Sequence, residues 1–135
     1  MLHLSGVQRL QNRAARIMSR NYSREVSGLE LVRDMGWFNV KERRQYFTAL
    51  TVFKSIHGPA PSYMQDLFTC IDDFSERPTR SADNGNLYIP RVNRQVFTQS
   101  IQYNGAKIWN ELPREVRTLP ALHTFKRSLK NIILH

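Results

Sequence analysis

The sequence predicts an α+β fold that is predominantly helical, with about five helices and one small antiparallel β-hairpin. Two observations carry this prediction: apolar residues recur at helical spacing over most of the chain, and they alternate over residues 87–101 as they do in strands. Hydrophobic residues make up 41% of the 135 residues, which is enough to form a core. We therefore expect a single domain over 1–135, comprising a helical half (1–69), a loop (70–86), and a hairpin with C-terminal helices (87–135).

Two helices are predicted in the N-terminal part of the chain. The first covers residues 5–22 and begins at the N-cap candidate Ser5. Its apolar residues fall on one side at helical spacing and would face the core; they are Val7, Leu10, Ala14, Ile17 and Met18. The second covers about 28–35, and Gly36 follows it in the position that favours a left-handed C-cap.

The third predicted helix has the clearest ends. Asn39 followed by Glu42 resembles a capping box, with Asn in place of the usual Ser or Thr. Gly58 and Pro59 would end this helix. A short helix is expected after it, at about 62–69.

The remainder of the chain changes character. The acidic and turn-forming residues of 70–86 predict a loop. Two short strands are expected on either side of Asn93, and Pro90 would place the first strand at an edge. The alternating pairs are Leu87 with Ile89 and Val96 with Thr98. A helix that stops before Pro113 and a last helix at about 120–133 would follow.

Charge is the first observation that bears on function. Twenty Lys and Arg residues oppose eleven Asp and Glu residues, which gives a formal net charge of +9. This balance favours polyanionic partners, with nucleic acid ahead of an anionic membrane. The single cysteine, Cys70, excludes an internal disulfide and fits a reducing compartment. Since no apolar run approaches the roughly 20 residues that span a bilayer, we expect an intracellular protein, cytoplasmic and/or nuclear, with no membrane partner.

A row of arginines is the main candidate for binding. Its members are Arg9, Arg13, Arg16, Arg20 and Arg24, in steps of four, three, four and four residues. On a continuous helix they would lie on one side, opposite the apolar residues. No acidic residue precedes Glu25, so no partner within the helix neutralises the first four. Because like charges at this spacing destabilise a helix, an external polyanion is indicated. The alternative is a solvated face, or one paired with acidic residues elsewhere in the fold.

Two smaller basic groups and several aromatic residues complete the binding candidates. The first group, near the predicted hairpin, is Arg80, Arg91 and Arg94, and the second, on the last helix, is Lys126, Arg127 and Lys130. The candidates for base stacking are Tyr88, Phe97 and Tyr103 near the hairpin. The remaining large rings are expected in the core, with Trp109 as an anchor; they are Trp37, Phe47, Phe53, Trp109 and Phe125.

The sequence offers no catalytic or metal-binding pattern. Cys70 is followed by acidic residues and lacks the electropositive setting that activates a thiol. Four scattered histidines give no metal-ligand spacing. The pair Asp72 and Asp73 is similar to the paired aspartates of polymerases but lacks the preceding Tyr-x. We therefore expect no enzyme, no cofactor, no metal and no small-molecule substrate.

Five blocks, in order and at consistent separations, resemble one known arrangement. They are VQRLQNRAARIM, LELVRDMGWFNVKERRQYFTALTVFKSIHGPAPSYMQDLF, TRSADNGNLYIPR, NGAKIWNELPREVR and TFKRSLKNIIL. From about Val7 to Leu134 the chain resembles the region just after the polymerase core in jockey-like and related reverse transcriptases of non-LTR (LINE) retrotransposons.

The resemblance implies a thumb-adjacent, C-terminal fragment of an RNA-directed DNA polymerase from a transposable element. The Tyr-x-Asp-Asp motif, fingers and palm of that polymerase are missing from the chain, so the polymerase activity of the parent does not transfer to it. The implied role is RNA-binding or primer–template binding, with the nucleic-acid backbone and the rest of the reverse transcriptase polypeptide as partners. Two alternatives remain: a protein–protein interaction module that docks an acidic partner, as a domesticated remnant would, and a degenerate reading frame without a stable role.

Overall fold

The computed structural model describes residues 4–71, 85–91 and 93–135. Within them the protein is predominantly helical and contains no extended strand, so the predicted helical character is confirmed. The α-helices are α1 (Leu4–Ser19), α2 (Gly28–Asp34), α3 (Val40–His57), α4 (Ser62–Gln65), α5 (Ile101–Glu111), α6 (Arg114–Arg117) and α7 (Leu122–Leu134). A 3-10 helix covers Gln95–Gln99.

The predicted hairpin is wrong for its second strand, because Gln95–Gln99 coils into the 3-10 helix. Hydroxyl groups close this turn: Thr98 Oγ1 donates to the Gln95 carbonyl at 2.6 Å, and Ser100 Oγ donates to the Phe97 carbonyl at 2.8 Å. The apolar residues that suggested a strand gain no buried face, since Val96 is 79% exposed. Local side-chain bonds to the backbone therefore outweigh the weak alternation pattern. Val92, in the first predicted strand, lies outside the described residues.

The chain divides into two compact units. The first contains Met1–Gln45 and Asn131–His135, and the second contains Tyr46–Lys130. The predicted single domain, with its loop at 70–86, stays a prediction because residues 72–84 lie outside the described part of the chain.

The first unit has a small core beneath α1 and α2. Its buried residues are Ala15, Leu31 and Val32, with Val26, Met35 and Trp37 packed against them. Polar groups of α1 also hold this unit together. The Gln11 side-chain amide donates to the Phe38 carbonyl at 2.6 Å, and Gln8 Oε1 accepts from the Val40 N–H at 2.8 Å. The interior side of α1 therefore carries Gln8, Gln11 and Ala15.

The predicted core-facing side of α1 is wrong. The residues concerned, Val7, Leu10, Ala14, Ile17 and Met18, are all exposed. The exposed fraction reaches 67% at Leu10 and 62% at Met18. The physical reason is that the backbone entering α3 requires hydrogen-bond partners, which glutamines provide and aliphatic side chains cannot. The helical periodicity of α1 predicts the helix correctly, but it does not predict the side that contacts the core.

The predicted ends of α2 and α3 are confirmed by their geometry. Gly36 has a φ of +68° and lies directly after the C-cap of α2. At the start of α3, the Glu42 carboxylate accepts from the Asn39 N–H and the Asn39 side chain accepts from the Glu42 N–H, both at 2.9 Å. A second capping box, between Ser27 and Glu30, was not predicted. These side-chain bonds satisfy N–H groups that a helix leaves unpaired at its first turn.

An aromatic cluster forms the centre of the second unit. Phe53 stacks on Phe125 with ring centroids 4.4 Å apart, and Trp109 lies 5.7 Å from Phe125. Trp109 is 2% exposed, which confirms its prediction as a core anchor. Phe47, also predicted in the core, is 51% exposed.

The segment around Leu87 forms an isolated β-bridge within this unit. Leu87 pairs in antiparallel fashion with Cys70. The flanking bonds run from the Tyr88 N–H to the Thr69 carbonyl (2.8 Å) and from the Ile71 N–H to the Asn86 carbonyl (3.1 Å). The N–H and C=O of Leu87 are therefore directed away from this bridge. Asn110 satisfies both groups, accepting from the N–H at 2.8 Å and donating to the carbonyl at 2.9 Å.

Two more side chains hold the same segment. The indole Nε1–H of Trp109 donates to the Gly85 carbonyl at 3.0 Å. The guanidinium of Arg117 donates to the Asn86 side-chain oxygen. Burial lowers the pKa of Arg117, and the neighbouring charge of Arg114 lowers it further, while Glu115 opposes both effects. This fixed segment leads directly into residues 88–91, the last of which borders an open pocket.

Candidate nucleic-acid interface

The arginine row is divided between a helix and the turn that follows it. Arg9 and Arg13 lie exposed on α1, whereas α1 ends at Ser19 and leaves Arg20 and Arg24 outside it. The prediction that all five arginines share one helix face is therefore wrong. Arg9, Arg13, Arg20 and Arg24 are all exposed, and within the part of the chain that the structure describes, no hydrogen bond or ion pair engages their side chains.

Arg16 differs from the other members of the row. Its guanidinium donates to the Ser23 carbonyl at 2.8 Å and to the Val26 carbonyl at 2.9 Å. It is also only partly exposed. Two of its five N–H donors therefore hold the turn between α1 and α2, and this side chain stabilises the local fold.

Arg20 occupies a backbone position that normally favours glycine. Its φ is +53°. The Arg20 N–H donates to the Ile17 carbonyl at 3.3 Å, and the Asn21 N–H donates to the Arg16 carbonyl at 3.2 Å. This is the bond pattern of a Schellman motif, in which a left-handed residue ends the helix. The turn places Arg20 just beyond the end of α1, exposed like Arg9 and Arg13.

The group near the predicted hairpin borders a pocket. Arg91, Asn93, Arg94 and Phe97 line this open pocket of about 310 Å³. Both arginines are exposed, and Phe97 is 55% exposed. The sequence assigned these two arginines to phosphate and Phe97 to stacking, and the structure brings the three together. Arg80, the other predicted member, lies outside the described residues.

The other stacking candidates and the last basic group lie elsewhere in the second unit. Tyr88 is 47% exposed, whereas Tyr103 is half-buried. Lys126, Arg127 and Lys130 are exposed on the polar side of α7. On the opposite side Phe125 and Leu129 are buried, as the sequence predicted. The three cations therefore form a separate basic surface on α7.

Chemistry other than ionic and stacking contacts is not evident in the described residues. Among them, no group of three His, Cys, Asp or Glu side chains is placed to hold a metal ion. The His57 ring stacks on Phe53 at 4.0 Å and its Nδ1 contacts the Phe53 carbonyl at 3.1 Å, which is a structural arrangement. None of the described helices combines the length and apolarity that a membrane crossing requires. Asp72 and Asp73 fall outside the described residues.

Two surface features escaped prediction from the sequence. The first is the exposed apolar side of α1, which borders Arg13: at 100° per residue, Ile17 lies only about 40° from it around the helix. The polar run Gln8, Gln11 and Asn12 is the signal that could have indicated a polar interior side. The second is the pair of hydrogen bonds between the Asn110 side chain and the Leu87 backbone, for which the sequence carries no signal.

The fold and these surfaces define a small, basic, helical protein with exposed arginines that no acidic side chain of the described residues pairs. No family model, curated protein or solved structure matches the chain. The function is therefore inferred from the arrangement of the chain's own residues.

Proposed function

We propose that this protein binds nucleic acid through backbone phosphates, as a C-terminal fragment of a non-LTR retrotransposon reverse transcriptase. The observation that carries the proposal is the group Arg9, Arg13, Arg20 and Arg24, exposed and unpaired within the described residues. We call this group the N-terminal arginines. Unpaired like charges in one small unit repel each other, and a polyanion removes that repulsion.

The chemistry of arginine suits this role. Its planar guanidinium presents N–H donors in a fork that matches two phosphate oxygens. From Arg9 to the end of α1 at Ser19 the helix rises about 15 Å, at about 1.5 Å per residue. That length spans several phosphates of a duplex. Since phosphate oxygens carry no sequence information, the binding should be similar for unrelated sequences.

The resemblance to LINE reverse transcriptases supports the identity of the ligand. In that setting the protein would contact template RNA or the primer–template, beside the rest of the polypeptide. Nucleotide addition would be performed elsewhere, because the Tyr-x-Asp-Asp motif of that polymerase family is missing from the sequence. The role proposed for this chain is to hold the nucleic acid.

The test compares two triple variants of equal charge. The first replaces Arg9, Arg13 and Arg20 with Gln. The control replaces Arg33, Lys54 and Lys107, which are also exposed, with Gln. Each triple lowers the formal net charge from +9 to +6. Fluorescence anisotropy with two duplexes of unrelated sequence should show a large loss of affinity for the first triple, equal on both duplexes. Equal affinities of the two triples would mean that net charge alone determines binding, and the proposal would fail.

A second candidate function rests on the exposed apolar side of α1. Leu10, Ile17 and Met18 are more than half exposed, and the helix contains no acidic residue. Charge complementarity supports one occupant, an amphipathic helix of a partner protein with acidic residues beside its apolar face. A designed helical peptide with Leu and Glu at helical spacing is the probe. Replacement of Leu10 and Ile17 by Gln should abolish peptide binding and leave duplex binding unchanged; retained peptide binding would exclude this surface.

A further inference from the structure

We propose that the pocket lined by Arg91, Asn93, Arg94 and Phe97 accepts one unpaired nucleotide of a single strand. The base would stack on the Phe97 ring, and the adjoining phosphates would contact the two guanidinium groups. The inference rests on the proposed function and names the form of nucleic acid that this second surface takes.

The size and composition of the pocket fit a small ligand with an anionic end. Ligand pockets in proteins have volumes of about 300–1,000 Å³, and this one, at about 310 Å³, lies at the lower limit. No acidic residue occurs anywhere in 85–104, so the chain segment that forms the pocket offers no carboxylate to Arg91 or Arg94. An exposed ring that lines a pocket together with two arginines is the combination that single-strand sites use.

The backbone holds Phe97 in place before any ligand arrives. The Phe97 N–H donates to the Arg94 carbonyl at 3.1 Å. Its own carbonyl accepts from the Ser100 N–H at 3.1 Å and from Ser100 Oγ at 2.8 Å. Ser100 in turn caps α5, because its Oγ accepts from the Tyr103 N–H at 3.2 Å. The backbone beneath the ring is therefore tied to a helix, and stacking there costs little conformational entropy.

Stacking on Phe97 requires a base whose face is not already covered by a neighbouring base. In a duplex, both faces of each internal base are covered by its neighbours, so a protein ring reaches only an unstacked base. A single strand presents such faces along its length, whatever its sequence. The pocket therefore predicts a contribution to single-strand binding that is missing from duplex binding.

The experiment measures the affinity of the full chain for a fluorescein-labelled 12-nucleotide oligouridine and for a blunt 12-base-pair RNA duplex at one salt concentration. Loss of the ring on which one base stacks should weaken single-strand binding by roughly 5- to 150-fold. We expect this effect for Phe97→Ala and for Phe97→Leu, which keeps apolar bulk without a ring. Phe97→Tyr should retain wild-type affinity. Duplex affinity should be the same for all of these variants.

The neighbouring residue provides a matched control. Val96 is 79% exposed and has no ring, so Val96→Ala should leave both affinities unchanged. Wild-type single-strand affinity in Phe97→Ala would overturn the inference. Equal affinity of Phe97→Leu and wild type would also overturn it, since the interaction would then be apolar rather than stacking. A weakening of equal size on both probes would do the same.

These outcomes separate failure of the pocket from failure of the proposed function. If Phe97 variants bind as wild type while the triple variant of Arg9, Arg13 and Arg20 binds more weakly, only the pocket is wrong. If the wild-type chain binds neither probe, both proposals are wrong. Replacement of Arg91 and Arg94 by Gln, with Phe97 intact, should also weaken single-strand binding, and an unchanged affinity would contradict the phosphate contacts.

Discussion

Asn110→Ala tests whether the Asn110 side chain stabilises the Leu87 backbone. Its two hydrogen bonds pair the groups that a neighbouring strand would pair in a sheet. Asn110 forms two hydrogen bonds to Leu87, at 2.8 and 2.9 Å, and Leu87 is 1% exposed. Truncation removes both partners and leaves the N–H and C=O of Leu87 unpaired and remote from water. Because each orphaned buried group costs about 1–3 kcal/mol, the loss of both bonds should lower the free energy of unfolding by about 2–6 kcal/mol.

Equilibrium urea unfolding, followed by the fluorescence of the two tryptophans, measures this destabilisation as a shift in midpoint. Asn110→Asp keeps the acceptor for the Leu87 N–H but removes the donor to the Leu87 carbonyl, so it should also be destabilised. Asn131→Ala, at an exposed position, should change stability by less than about 0.5 kcal/mol. An Asn110→Ala midpoint equal to that of wild type would show that the two hydrogen bonds contribute nothing to the free energy of unfolding, and it would refute the reasoning.

Three further predictions follow from the fold and the site. Trp109→Ala removes the indole ring from the aromatic cluster and its hydrogen bond to the Gly85 carbonyl, so the free energy of unfolding should fall by about 3–5 kcal/mol. An unchanged urea midpoint would contradict the assignment of Trp109 to the core. Arg20→Gly removes a side chain from a left-handed position and should raise stability by about 1 kcal/mol; a lower thermal midpoint would show that no strain is relieved there. Primer extension on an RNA template with magnesium should give no product above a no-protein control, because the chain lacks the Tyr-x-Asp-Asp motif; template-dependent incorporation would reject this assignment.

The C-terminal end of α2 and the start of α3 could be predicted from the sequence because their chemistry is local, whereas the end of α1 at Ser19 was not predicted. Asn39 and Glu42 satisfy each other's N–H groups within one turn, and Gly36 adopts a positive φ that few other residues tolerate. The buried position of Trp109 could also be predicted, since a large ring with apolar neighbours has few places outside a core.

Contacts between residues that are far apart in the sequence could not be predicted in the same way. The side of α1 that faces the interior depends on the bonds of Gln8 and Gln11 to a segment about 30 residues away, and periodicity alone favoured the opposite side. The second strand of the hairpin was wrongly predicted for a different, local reason: the bonds of Thr98 and Ser100 to the backbone favour the 3-10 helix over the strand that the alternation of Val96 and Thr98 suggested.

The candidate site was predicted in composition but not in arrangement. The sequence identified every arginine of the row, yet it could not show that Arg16 holds the turn at Ser23 and Val26 while the others stay exposed. Likewise, Arg91, Arg94 and Phe97 were each proposed for binding, but their common pocket depends on the 3-10 helix that replaced the strand.

The salt dependence of duplex DNA binding tests the central claim most directly. Each phosphate that a cationic side chain neutralises adds about 0.9 to the magnitude of the slope of log K against log salt. The variant in which Arg9, Arg13 and Arg20 are replaced by Gln should therefore show a slope smaller than wild type by up to about 2.7. The control variant at Arg33, Lys54 and Lys107 should keep the wild-type slope. If the first variant binds with the wild-type slope and affinity, the N-terminal arginines are solvated and do not contact phosphates.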